Sequence, residues 1–102
     1  EITLKQVTPI VINEDEITGR VLNAAQLAFP DKEIDTSPYL TMGAEDMGYM
    51  QEKTGGCYFF VGSANAEKNL AYLHHHPKFD FDERALVTAS ALMASAAAEL
   101  LK

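Results

Sequence analysis

The chain has 102 residues, 47% of them hydrophobic and 23% charged, which excludes wholesale disorder and fibrous repeats and allows one small domain at most. Its 15 acidic and 8 basic residues leave a net charge of −7 with no Lys/Arg stripe, so nucleic acid and acidic membrane surfaces are poor partners. A single cysteine, Cys57, excludes an internal disulfide, a thiolate metal centre and a CxxC redox pair.

Residues 2–12 alternate Ile2 and Leu4 with Thr3 and Lys5 and read as a strand that Pro9 confines to an edge. Asn13 followed by Glu14, Asp15 and Glu16 has the pattern of a helix N-cap with a capping box. Ile17, Val21, Ala24, Ala25 and Ala28 then recur at helical spacing through Phe29, where Pro30 stops the helix. A short strand is expected around Ile34, then a loop through Pro38. A second helix spans about Glu45 to Lys53 and ends at Gly55-Gly56. The apolar run Cys57 to Val61 reads as a strand buried on both faces, with Cys57 an inert thiol inside it.

Residues 63–72 are polar and loop-like. Asp80 and Glu83 form a second capping-box pattern, and Leu86, Ala89, Met93, Ala97 and Leu100 carry an apolar stripe to the C-terminus. A helix so poor in charge should be covered on more than one side, yet the chain offers only one clear interior strand to cover it. The core therefore reads as incomplete. The longest uncharged stretch, 85–98, is shorter than the roughly 18 to 20 residues of a membrane span, and the N-terminus lacks signal-peptide organisation, so a cytoplasmic protein is expected. The chain opens on Glu1 rather than Met, as expected of a processed terminus or a segment of something longer.

Two segments have chemical potential. In His74-His75-His76-Pro77, neutral imidazoles beside a rigid proline suit a zinc-like ion, although an extended backbone would turn His75 away from His74 and His76. The competing reading is a polar loop with three solvated imidazoles. The acids Asp80, Asp82 and Glu83 read as helix-capping groups rather than ligands. In Thr41-Met42-Gly43-Ala44-Glu45-Asp46, a glycine and a helix start allow a ligand to approach the backbone, but Glu45 and Asp46 equally serve the helix dipole. Neither segment holds a nucleophile elbow or a phosphate-binding loop.

Taken in order, TPIVIN at 8–13, TMGAEDMGYM at 41–50, GCYFFVGS at 56–63 and LHHHPKFDFDE at 73–83 resemble the C-terminal part of the zinc amidohydrolase and metallopeptidase family of aminoacylases, hippurate hydrolases and indoleacetyl-amino-acid hydrolases. The resemblance implies an α/β fold: a catalytic domain with a central mixed sheet covered by helices, and an inserted lid domain through which the parent forms a homodimer. Residues 1–12 would be the last strand of the lid, and 13–102 the C-terminal portion of the catalytic domain. It implies two divalent ions, Zn or Mn, in the full-length parent, with His75, two positions before the proline, as the one metal ligand present here. His74 and His76 would be its neighbours, and Gly43 and Glu45 substrate-binding or supporting residues. The general base has no match in this chain. The parent would hydrolyse the amide bond of N-acyl amino acids or small peptides with metal-activated water, and the segment alone would be inactive. The alternative is a stand-alone metal-binding or protein-interaction module without catalysis.

Overall fold

The computed structural model describes all 102 residues as three α-helices and one 3₁₀ turn joined by long irregular segments. Helix α1 covers Asp15–Ala28, α2 covers Met47–Thr54, and α3 covers Arg84–Leu100, with the 3₁₀ turn at Ala66–Lys68. The sole β pairing is an isolated antiparallel bridge between Asn65 and Leu70. Residues 2–12, the Ile34 region and 57–61 find no ladder partner within the chain. A strand needs a neighbour to take up its N–H and C=O groups, and these segments have none within the chain.

Helices α1 and α3 pack against each other and supply the small core: Val21, Ala24 and Ala25 from α1 and Ala96 from α3 are buried. Alanines at these positions let the two backbones come close. The Arg20 guanidinium of α1 donates to the Glu99 carbonyl oxygen, satisfying one of the C-terminal carbonyls of α3. The Lys102 ammonium meets the Glu99 carboxylate at 2.6 Å and holds it below its ordinary pKa, with a smaller contribution from Arg20.

The opposite face of α3 is not covered. Val87 is 73% exposed and Leu101 87% exposed, and Leu86 and Met93 are also in solvent. The N-terminal segment exposes Ile2, Leu4, Val7, Ile10 and Ile12 in the same way. The accessible surface totals 8692 Å², against roughly 5,700 Å² for a folded monomer of this mass. The radius of gyration is 16.1 Å, against about 13 Å for a compact domain of this length. Within the chain α3 is therefore covered on one face only, by α1, and the expected cover over both faces of 57–61 is absent. Cys57 is half-buried rather than enclosed, and Phe60 is exposed.

The ends of the helices depart from the expected caps. Glu14, not Asn13, precedes the first helical residue of α1, and no side chain caps it. Asn13 instead faces the 57–61 segment: its amide Nδ2–H donates to the Tyr58 carbonyl at 2.8 Å, and its Oδ1 accepts from the Tyr58 N–H at 2.6 Å. One side chain thus takes both backbone groups of Tyr58, as a neighbouring strand would. The Glu14 N–H extends the contact by donating to the Gly56 carbonyl at 2.9 Å.

Helix α2 begins two residues later than expected and stops at Gly55, whose φ of 67° lies in the left-handed region that glycine adopts without strain. It lies on residues 7–12. The Tyr49 hydroxyl donates to the Val7 carbonyl at 2.5 Å, and the Ile12 N–H donates to Gln51 Oε1 at 3.0 Å. Gly48 is buried, and a Cβ there would stand 2.8 Å from the Pro9 carbonyl oxygen. No helix of the structure is long and apolar enough to cross a membrane.

Candidate functional site

The histidine segment is a turn, not an extended strand. The His76 N–H donates to the Leu73 carbonyl at 3.2 Å, placing His74 and His75 at the turn's centre, and the Phe79 N–H donates to the His76 carbonyl at 2.9 Å in a second turn through Pro77. His75 carries a left-handed φ of 67°, unusual for a residue with a Cβ although less so for His than for bulky side chains. The expectation that His74 and His76 share one face is therefore replaced by a tighter arrangement in which each flanking ring has its own partner. His74 meets Phe79 edge-on with centroids 4.8 Å apart. His76 stacks on Tyr72 at 4.5 Å and an interplanar angle of 14°. Its Nδ1 accepts the Lys78 N–H at 3.1 Å, which places the proton of a neutral ring on Nε2. No hydrogen bond or ring stack holds the exposed His75 imidazole.

Asp82 fixes the base of this segment. It is buried, and its carboxylate accepts from Arg84 Nη2 at 2.6 Å, from Asn65 Nδ2 at 2.6 Å and from the Arg84 backbone N–H at 3.1 Å. The Lys68 ammonium lies 3.3 Å away. The Arg84 side chain first, and Asn65 second, hold the carboxyl far below the usual carboxylate range. The Asp82 N–H also donates to the Ser63 carbonyl at 2.9 Å, so one residue ties residues 63–68 to the start of α3. The capping role expected of Asp80 and Glu83 thus falls to Asp82, whereas Asp80 accepts only the N–H of the next residue, Phe81. The reading of these acids as capping groups holds for Asp82.

The 41–46 segment forms a separate cluster. The Gly43 N–H donates to Thr41 Oγ1 at 3.2 Å, and the glycine is exposed, with the Thr41 hydroxyl at ordinary contact distance from where a Cβ would stand. The Tyr58 hydroxyl donates to Glu45 Oε2 at 3.1 Å, and this bond to the carboxylate raises the Tyr58 pKa above its ordinary value. Through Tyr58 the loop is connected to Asn13 and thence to α1. No hydrogen bond or ion pair connects Gly43 or Glu45 to His74, His75 or His76.

The donors of this chain do not complete a metal site: no three His, Cys, Asp or Glu side chains converge. What the 74–76 turn offers is imidazole nitrogen, with the His75 ring alone making neither a hydrogen bond nor a ring contact. A lone imidazole is chemically suited to be one ligand of a zinc-like ion, which requires further ligands to complete its coordination. Asn13, Tyr72 and Phe79 are not among the residues the sequence singles out for the site, and Asp82 stands there only as a capping group. The aromatic spacings Tyr72 to His76 and His74 to Phe79 were the available signal for two of them.

The sequence profile described as Peptidase family M20/M25/M40 matches residues 1–99. The chain belongs to this family. Among members of curated standing, it is 37% identical over 98 residues to the protein YhaA of Bacillus subtilis (strain 168), an amidohydrolase by its provisional name, covering 95% of this chain and 24% of that one. It is 36% identical over 83 residues to thermostable carboxypeptidase 2 of Saccharolobus solfataricus, covering 81% and 20%. It is 33% identical over 93 residues to N-acetyl-L-cysteine deacetylase of Bacillus subtilis (strain 168), covering 91% and 20%. The chain thus spans about a fifth to a quarter of the length of these peptidase-family relatives. No solved structure matches it.

Proposed function

We propose that these 102 residues are the C-terminal part of a metal-dependent amidohydrolase that cleaves the amide bond of N-acyl amino acids or small peptides. Family membership over residues 1–99 carries the reading, and the relatives' names, a deacetylase of an N-acetyl amino acid and a carboxypeptidase, point to an amide bond next to an amino acid. The surface of 8692 Å² and the uncovered face of α3 support a chain whose core is completed by further protein. On this reading the parent has an α/β catalytic domain with a mixed central sheet. Residues 57–61 enter that sheet, and 1–12 form the last strand of a lid that pairs two copies.

His75 is the ligand this segment contributes to a site for two divalent ions, zinc or manganese. When bound, such ions polarise a carbonyl and lower the pKa of water. The remaining ligands and the general base belong to the rest of the parent, so the isolated segment is inactive. On this reading Gly43 and Glu45 face the substrate, and the Tyr58 hydroxyl, which donates to Glu45 Oε2, would orient that carboxylate.

The test is the intact mass of the native gene product, followed by hydrolysis assays of the purified product on N-acyl amino acids. A mass several times 11.2 kDa with metal-dependent release of the amino acid is expected. A mass near 11.2 kDa would remove the enzyme reading and leave a small binding module.

A further inference from the structure

The flanks of His75 are held while His75 itself is free. Its left-handed φ of 67° is a conformation that an unconstrained histidine seldom keeps, so something must maintain it. The contacts around it are those of its neighbours. On one side, the His76 ring lies flat on Tyr72, and the Lys78 ammonium stands 5.8 Å from the centroid of the same tyrosine ring. The Lys78 N–H fixes the His76 ring from its Nδ1 edge. On the other side, the His74 ring meets the Phe79 edge, and Phe79 in turn lies 6.4 Å from Phe81, next to the Asp82 cluster. Ring pairs of this kind are favourable beyond the area they bury, so they can offset the cost of a left-handed residue between them.

We infer that Tyr72 and Phe79 are positioning residues that clamp the rings of His76 and His74 and so hold the left-handed turn that presents His75. This rests on the reading of His75 as a metal ligand. It goes beyond that reading in assigning the orientation of the ligand to two aromatic side chains that bind nothing themselves. Groups that orient a metal ligand from behind change affinity by about 10–100-fold when removed.

The experiment uses the full-length parent protein and two readouts: zinc affinity by competition with a chromophoric chelator, and hydrogen exchange at the His76 amide, which closes the turn on Leu73. Tyr72→Leu and Phe79→Leu are expected to weaken zinc binding at least about 10-fold and to speed exchange at His76. Tyr72→Phe, which keeps the stacking face, restores both. Unchanged affinity and exchange in the two leucine variants would overturn the clamp. So would an unprotected His76 amide in the metal-free parent, a measurement that needs no variant to fold. His75→Ala separates the two claims. Unchanged zinc affinity in that variant overturns the ligand reading, whereas the exchange data still decide whether Tyr72 and Phe79 hold the turn.

Discussion

Asn13→Ala tests whether a single side chain joins the start of α1 to residues 57–61. The amide makes two bonds to Tyr58, at 2.8 Å and 2.6 Å, across 45 residues of sequence. A net hydrogen bond is worth about 0.5–1.5 kcal/mol, so removing both costs about 1–3 kcal/mol of local stability. The Glu14 to Gly56 bond remains and keeps the segment nearby, which confines the loss to Tyr58 and its neighbours. Native-state hydrogen exchange at the Tyr58 amide reads this directly, because its N–H is the donor to Asn13. Exchange in the parent protein should accelerate about 5- to 150-fold on Asn13→Ala, following from that free-energy range. Asn13→Asp keeps the acceptor for the Tyr58 N–H but sets a carboxylate against the Tyr58 carbonyl, so it should not restore the parent rate. A Tyr58 amide exchanging equally fast in parent and Asn13→Ala protein would refute the bridge and leave Asn13 as an ordinary surface residue.

Other substitutions probe the remaining contacts. Gly48→Ala puts a Cβ 2.8 Å from the Pro9 carbonyl oxygen, so α2 must move off residues 7–12; a stability loss of about 1–3 kcal/mol in urea unfolding is expected, and a neutral result would deny that contact. Asp82→Asn should destabilise the protein at neutral pH. Because the native Asp82 pKa is depressed by Arg84 and Asn65, the stabilisation is fully present above the unfolded carboxyl pKa of about 4 and fades as pH falls below it toward the native value. The gap between parent and variant in unfolding experiments should therefore be constant from neutral pH to about 5 and narrow below about 4; a gap that widens on acidification would contradict the assignment. The isolated 102-residue chain should self-associate or bind a hydrophobic dye, since Val87, Leu101 and the apolar residues of 2–12 stand in water; a monodisperse monomer without dye binding would show the chain to be a complete domain.

The helices were legible because their information is local. The 3.6-residue recurrence of Val21, Ala24, Ala25 and Ala28, the break at Pro30 and the left-handed Gly55 each act within a turn or two. The caps were less legible because the same side chains have better partners far away. Asn13 has cap chemistry, yet Tyr58 offers it both a donor and an acceptor from 45 residues downstream. Asp82 prevailed over Asp80 at α3 because Asn65, Lys68 and Arg84 converge on it. The strand patterns of residues 2–12 and 57–61 are legible, but their pairing is not a property of this chain alone, because neither segment has a neighbour in it to pair with. At the candidate site, the choice of His75 came from resemblance, whereas the turn that leaves it alone unheld came from ring pairs that an extended reading of 74–76 overlooked.

The central claim is that His75 supplies one ligand to a metal site completed by the rest of a longer hydrolase. Metal content per chain, measured on the purified full-length protein and its single-histidine variants, tests it most directly. Bound metal is expected in the parent, reduced affinity in His74→Ala and His76→Ala as the clamp loosens, and loss of bound metal in His75→Ala. Full metal content in His75→Ala would contradict the account.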